Sequence, residues 1–280
     1  MTMKDKELLI VTGATGGLGK CIARYFATEA LGNGQLHPVF CCRNAQKGAA
    51  LCHEIEALGL SENRYTLLLA DLSTHAGVDE LAEKVKALGC PIRLMVNNAA
   101  SMFAHYGTNA DGVEMHMAVN FLAPARLTER LIGLIEPTGG VVQILSCSRN
   151  FFSLKPNFLV SQKAGYFRLR NYSCSKLALS MYTADLAARY PQLHINGVDP
   201  GVMNTGMLKM DKWFDPLTDL LFRPFTRKPM ESMPAVIAAC QNVDRVSGQI
   251  FTNRRHFPVE RKIAEHRLRE AVRAAVLNHL

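Results

Sequence analysis

The sequence predicts a doubly wound α/β fold: a parallel sheet of about seven strands between two helical layers, in one domain over residues 1–280. Three observations predict it. Short continuous apolar runs recur along the chain. Stretches with apolar residues at three- and four-residue spacing separate them. The first run turns into the first helical stretch through a cluster of glycines.

The runs suited to buried strands are Leu8–Val11, Pro38–Cys42, Tyr65–Leu69, Leu94–Val96, Val141–Leu145, Ile195–Val198 and Gln249–Phe251. Runs that are apolar throughout, rather than alternating, suit strands covered on both faces. The helical stretches are Lys20–Ala30, Gln46–Leu58, Val78–Leu88, Gly112–Ile135 and Tyr172–Tyr190. Their alternation requires right-handed crossovers, and no repeat, low-complexity segment or Pro/Gly-rich linker divides the chain. Met207–Met230, rich in Met, Trp, Phe and Leu, breaks the rhythm and has no strand of its own.

Apolar residues make up 48% of the chain, enough to fill a core on both sides of a sheet, and the charged fraction excludes global disorder. The formal net charge of +8 suits a phosphate-bearing ligand, an anionic membrane or nucleic acid. Much of the excess lies late, in Arg254, Arg255, Arg261, Lys262, Arg267, Arg269 and Arg273. That run reads as a solvated helix face, and without interleaved aromatics it gives no nucleic-acid partner. The eight cysteines form no CxxC pair and no zinc-like Cys/His spacing, so reduced thiols and no metal are expected. The N-terminus runs straight into a strand without a signal peptide, and no apolar stretch is long enough for a transmembrane segment. A reducing, cytoplasmic setting fits these features.

The first strand ends in Thr12-Gly13-Ala14-Thr15-Gly16-Gly17-Leu18-Gly19. A strand turning sharply into a helix collects free N–H groups and a positive dipole end, and glycines let a pyrophosphate approach. The spacing is Gly13, Gly17, Gly19 rather than G-x-G-x-x-G. A P-loop fails, because Ala14 stands where its first glycine is required and Cys21 replaces the magnesium-binding hydroxyl. An NAD site offers a carboxylate about 20 residues after such a turn. Here no Asp or Glu occurs between Glu29 and Glu54, and the second strand ends Cys42-Arg43-Asn44 with Lys47 a turn later. A guanidinium there can hold the extra 2′-phosphate of NADP(H). Asp71, with Leu72 at the end of the third strand, is either an acceptor for the adenine amino group or a helix N-cap.

Tyr172 and Lys176 share one helix face at i, i+4 spacing. A free phenol has a pKa of about 10, and an ammonium about 4 Å away would lower it by up to about 3 units, making the pair competent in general acid/base chemistry. The spacing alone is common. Its company strengthens it: Ser146 ends the fifth strand, with Ser148 as a nearby rival, and Asn97-Asn98-Ala99-Ala100 ends the fourth. Ligands in such sheets sit at these carboxyl ends. Asn120, an amide in an apolar helical stretch, needs a partner and marks either a capped local kink or a water-binding link toward Lys176.

Together these residues resemble the short-chain dehydrogenase/reductase family over nearly the full chain. The resemblance rests on Thr12-Gly13-xxx-Gly17-x-Gly19, Asn97-Asn98-Ala99, Asn120, Ser146, Tyr172-xxx-Lys176 and Pro200-Gly201-xxx-Thr205. It implies a Rossmann-type sheet and a tetrad of Asn120, Ser146, Tyr172 and Lys176. In that tetrad Tyr172 transfers the proton, Ser146 orients the carbonyl or hydroxyl, Lys176 binds the nicotinamide ribose, and Asn120 holds a proton-relaying water. It further implies cofactor contacts along Gly13, Thr15–Gly19 (with Gly16, Gly17 and Leu18), Arg43, Asn44, Lys47, Asp71, Leu72, Asn98, Ala99, Ala100, Pro200, Gly201, Val202 and Thr205. Pairing of the fourth- and fifth-crossover helices implies a homodimer or homotetramer.

Three stretches are similar to the retinol dehydrogenase-like and carbonyl reductase branch: Cys42-Arg43-Asn44-xx-Lys47-Gly48, Ala110–His116 with Val119-Asn120, and the long gap from Ser146 to Tyr172. That branch implies NADP(H) and a lipophilic alcohol or ketone. The chain departs from the pattern at Ala100 (usually Gly), Leu145 (often Ser) and Asp199 (usually His or Asn), and Asp199 would put a negative charge near the nicotinamide edge. The apolar segment at 206–230 reads as a substrate lid or as a packed helix or dimer contact. The alternative function is a non-catalytic NADP(H)-binding regulator or scaffold, which would need no Ser–Tyr–Lys geometry.

Overall fold

In the computed structural model the described residues are 3–160, 163–201, 228–242, 244–259, 263 and 266–280. Eight strands are β1 (Glu7–Thr12), β2 (Leu36–Cys42), β3 (Thr66–Leu69), β4 (Ile92–Asn97), β5 (Ile135–Ile144), β6 (His194–Val198), β7 (Gln249–Phe251) and β8 (His256–Pro258). They form one sheet in the order β3-β2-β1-β4-β5-β6-β7-β8, parallel except for the last pair. The order reverses between β1 and β4, which opens a crevice at their carboxyl ends.

Successive β1 side chains feed opposite cores. Leu8 and Ile10 pack with Val39, Ile92, Val141 and Ile195 on one face, and Leu9 and Val11 with Phe40, Val96, Val142 and Val198 on the other. This period-two division is why the strands read as continuous apolar runs. Helices α1 (Gly17–Gly32), α2 (Ala45–Ala57) and α7 (Met233–Gln241) cover the second face. The first is covered by α3 (His75–Ala87), α4 (Met115–Met117), α5 (Ala123–Leu131), α6 (Arg168–Arg189) and α8 (Arg269–Asn278).

All seven expected strands are present. The eighth is not foreseen by the sequence: β8 is three residues long and ends in Pro258, so it shows no apolar run. It is held by antiparallel pairing of Phe257 with Ile250 across the turn that carries Arg254 and Arg255. The expected helix over Gly112–Ile135 is broken. A π-helical turn at Ala118–Leu122 separates α4 from α5, and Ile135 already begins β5. Within this turn the Asn120 amide is held by groups outside its own helix. Part of the late basic run lies on α8, where Arg273 is exposed and Arg269 lies 3.8 Å from Asp185 on α6. Arg261, Lys262, most of the apolar segment at 206–230, Val202 and Thr205 lie outside the described residues. All eight cysteines are free thiols. Among the described residues no helix is long and apolar enough to cross a membrane, and no group of side chains could hold a metal ion.

One tight junction is where α1 leaves β1. A Cβ on Gly19 would lie 2.0 Å from the Gly13 carbonyl oxygen and 2.8 Å from the Asn98 amide nitrogen. Gly19→Ala is therefore expected to destabilise the fold by about 3 kcal/mol, since backbone must shift to admit the methyl. Gly34→Ala, with nothing within 4 Å of the added carbon, should stay within about 0.5 kcal/mol of the parent. Urea unfolding of the two variants checks the contrast.

Candidate active site

The β1–α1 turn is shaped by two constraints. Gly13 has φ +66°, and its missing side chain lets the backbone at Ala99 approach. Thr12 and Asn98 then tie β1 to β4. The Thr12 hydroxyl accepts the N–H groups of Asn98 (3.1 Å) and Ala99 (3.0 Å), while the Asn98 amide donates to the carbonyls of Thr12 (2.9 Å) and Gly13 (3.2 Å). Gly16 caps α1 without a side-chain hydrogen bond, so no side chain competes for the first N–H groups of the helix.

These residues open onto a cavity of about 480 Å³. Of the sequence-predicted site residues, Gly13, Thr15, Gly16, Gly17, Leu18, Gly19, Arg43, Asp71, Leu72, Asn98, Ala99, Ala100, Ser146, Tyr172, Lys176, Pro200 and Gly201 all line it. Asn44 and Lys47 do not: the Asn44 side chain caps α2 by accepting the Lys47 N–H at 2.8 Å. Arg43 is exposed at the rim. The N-cap of α3 is Thr74 rather than Asp71, whose carboxylate instead accepts the N–H of Ser73 at 3.0 Å. A roomier hollow of about 670 Å³ lies toward the amino ends of the strands, between Glu7, Arg93 and His194, and shares none of these residues.

The proton-handling groups meet at the carboxyl end of β5. Ser146 starts a short 3-10 turn (Cys147–Asn150), and its hydroxyl accepts the Ser148 N–H (3.3 Å) and hydroxyl (3.0 Å). Both serines line the cavity. Lys176 is 2% exposed and donates to the Ile144 carbonyl at 2.7 Å, with its nitrogen 6.0 Å from the Tyr172 ring centre.

The expected lowering of the Tyr172 pKa by Lys176 is not found. Burial pushes the phenol up to about 12; a hydrogen bond with Ser146 opposes this, and the Cys147 thiol and Asp199 carboxylate add to it. Burial also pulls the Lys176 ammonium down to about 7. Desolvation disfavours the charged form of each group and is the largest cause of both shifts.

Asn120 is fully buried, and its amide is spent on structure. Its oxygen accepts the Ser101 N–H (2.8 Å), and its nitrogen donates to the Ser101 carbonyl (2.9 Å) and the Ser175 hydroxyl (3.1 Å). The side chain thus joins the end of β4 to α6 across the π turn, with no direct hydrogen bond to Lys176.

Asp199, read as a negative charge near the nicotinamide edge, is paired with Arg149. The two form a buried ion pair at 2.7 Å, 8% and 3% exposed. Arg149 also donates to the Ser146 carbonyl (3.0 Å), and Asp199 accepts the Gly201 N–H (3.0 Å). The pair bridges the serine turn and the segment after β6. Sequence reading misses Arg149, as it misses Thr12 and Ser101 in these roles, because only the fold brings their partners near. The signal for Arg149 is an unexplained cation three residues after Ser146, facing an unexplained acid at 199.

Residues 7–213 match the family described as short chain dehydrogenase. The chain belongs to that family. Curated relatives at low identity include retinol dehydrogenase 12 of Bos taurus, 27% identical over 254 residues (88% of this chain, 78% of the relative). Polyprenol dehydrogenase of Mus musculus is 32% identical over 217 residues, covering 74% of this chain and 63% of the relative. Among solved structures, an uncharacterized protein from Mycobacterium Paratuberculosis superposes with TM-score 0.71 at 22% identity, covering 100% of this chain and 97% of that one. A variant of actinorhodin polyketide ketoreductase with NADPH gives 0.65 at 21%, covering 95% and 100%. At these identities the structural likeness is one of fold. The family is one of oxidoreductases, and the retinol dehydrogenase-like resemblance holds.

The depressed Lys176 pKa carries a stability prediction. Between about pH 7 and the unfolded value of 10.5, the unfolded chain binds the extra proton. The lysine's contribution is therefore complete above pH 10.5 and is lost as pH falls through about 7. The stability of Lys176→Met relative to the parent is expected to be a few kcal/mol more favourable at pH 6 than at pH 10, one pKa unit being about 1.4 kcal/mol. Urea unfolding of both ligand-free proteins at the two pH values measures the difference.

Proposed function

We propose that this chain is an NADP(H)-dependent oxidoreductase that interconverts a lipophilic alcohol and its ketone or aldehyde. The observation that carries the reading is the convergence of Ser146, Tyr172 and Lys176 on the cavity that the glycine turn also lines. The residues present fit a dinucleotide. A Cβ on Gly16 would meet only the Gly13 carbonyl, at 3.4 Å, so the turn leaves room for a pyrophosphate beside the uncapped start of α1. Arg43 at the rim, with no carboxylate at the end of β2, suits a 2′-phosphate, and Asp71 suits the adenine amino group. When bound, the cofactor supplies or accepts the hydride.

The protein's own groups handle the proton. The phenol of Tyr172, held near pKa 12, is protonated at neutral pH and suits donation to a carbonyl oxygen during reduction. Ser146 lines the same cavity as Tyr172 and suits orientation of that oxygen. Lys176, buried beside them, would hold ribose hydroxyls and place a positive charge near the phenol when protonated. Met102, Phe103, Val119, Leu145, Phe151 and Leu169 add apolar surface to the wall, which suits a lipophilic substrate that excludes water. Relatives named for retinol and polyprenol agree in chemical class.

The test is a panel of aliphatic and aromatic ketones and aldehydes, followed by NADPH absorbance with NADH alongside. Tyr172→Phe should lower turnover by roughly a hundredfold or more and leave NADPH binding within about twofold, since the hydroxyl contributes mainly to proton transfer. Retained turnover would refute the mechanism. Arg43→Gln should weaken NADPH binding by about tenfold or more while leaving NADH nearly unchanged, from the loss of a charge-assisted hydrogen bond. Equal effects on the two cofactors would refute the NADP(H) assignment.

A further inference from the structure

Beside Tyr172 lies a buried acid–imidazole pair that the proposed chemistry does not use. Glu114 and His116 are 1% and 0% exposed. The Glu114 carboxylate caps α4 by accepting the N–H groups of His116 (3.0 Å) and Met117 (3.2 Å), and it takes the His116 Nδ1 at 2.7 Å. Burial raises its pKa, but the hydrogen bonds it accepts from the His116 ring and from the backbone of His116 and Met117 outweigh that and hold it below the usual carboxylate range. On the other side of the ring, Nε2 accepts the N–H of Phe103 at 3.0 Å. Nε2 must therefore carry no proton, and the ring's hydrogen sits on Nδ1 toward Glu114.

We propose that Glu114 and His116 are positioning residues that fix the Phe103 wall of the substrate cavity against Tyr172 and so set how bulky a carbonyl compound the site favours. This deepens the oxidoreductase reading and rests on it. Neither residue lines the cavity; both act through residues that do. Phe103 lies in the loop after β4, and its peptide is gripped on both sides, the N–H by His116 and the carbonyl by the Tyr166 hydroxyl at 2.7 Å. Its ring meets the imidazole edge to face, with centres 5.2 Å apart. The same imidazole packs against the Tyr172 ring at 6.4 Å and the Tyr166 ring at 6.2 Å. One buried ring thus registers the apolar wall against the proton-transferring phenol. Its orientation is in turn locked by Glu114, which is tied to the segment before α6 through its own N–H on the Leu159 carbonyl at 3.0 Å.

A small ketone held by Ser146 and Tyr172 has no need of the Phe103 wall, whereas a long or aromatic one packs on it. His116→Phe keeps a ring but removes the acceptor. His116→Gln returns an amide oxygen near the position of Nε2. The experiment measures kcat and KM for acetone and for a long-chain alkyl phenyl ketone with NADPH, and calorimetric binding of the same aromatic ketone without cofactor. In His116→Phe, KM for the aromatic ketone should rise about tenfold and its calorimetric affinity should fall equally, with kcat/KM for acetone and NADPH binding unchanged within about twofold. His116→Gln should recover most of the loss. Tyr166→Phe, which removes only the hydroxyl from a half-buried ring, should shift selectivity the same way and serves where His116→Phe does not fold.

Unchanged selectivity in these variants, or equal losses on both ketones, overturns the proposal. Absence of turnover in the parent would refute the oxidoreductase reading instead, and the cofactor-free binding difference would still decide the role of His116.

Discussion

The contact on which the rest of the structure depends is the close approach of the β1–α1 turn to the end of β4. Thr12 and Asn98 anchor four hydrogen bonds across it, and Gly13 and Gly19 leave out the side chains that would keep the two backbones apart. Because the strand order reverses at this pair, the contact also sets the floor of the crevice. Asn98, read from sequence as a cofactor contact, acts first as the clamp that shapes the turn.

A second constraint is electrostatic. Before any ligand is considered, Lys176 is buried and Tyr172 half-buried, and desolvation sets their protonation: it holds the phenol protonated and pulls the ammonium pKa down to about 7. The departure at Asp199 follows the same logic. A carboxylate in that position would be costly alone, and Arg149 pairs with it while holding the Ser146 carbonyl. The acid is thus part of the scaffold under the serine turn, and its charge is also felt at the Tyr172 phenol.

Much of the fold was legible. Seven strands and most helices announced themselves because strands covered on both faces must be apolar throughout, and helices covered on one face must repeat every three or four residues. β8 was not legible, since a three-residue edge strand has too few side chains to show a pattern. The break at Asn120 was half legible. An amide in an apolar stretch signalled a partner, but the partners, Ser101 and Ser175, are distant in sequence. Likewise Arg43, Asn44 and Lys47 read alike as cations and an amide after β2, yet only Arg43 reaches the cavity, because Asn44 is committed to capping α2.

By itself, then, the sequence determined the order of the layers, the glycine turn and the residue types gathered at the strand ends, because these follow from local periodicity and from which residues tolerate a tight turn. The tertiary structure alone decided which of those groups are charged, which are spent on holding the backbone, and which face the cavity. It alone brought His116 against both Phe103 and Tyr172. The physical reason is that desolvation and hydrogen-bond partnership depend on neighbours contributed by remote segments, and no local pattern encodes them.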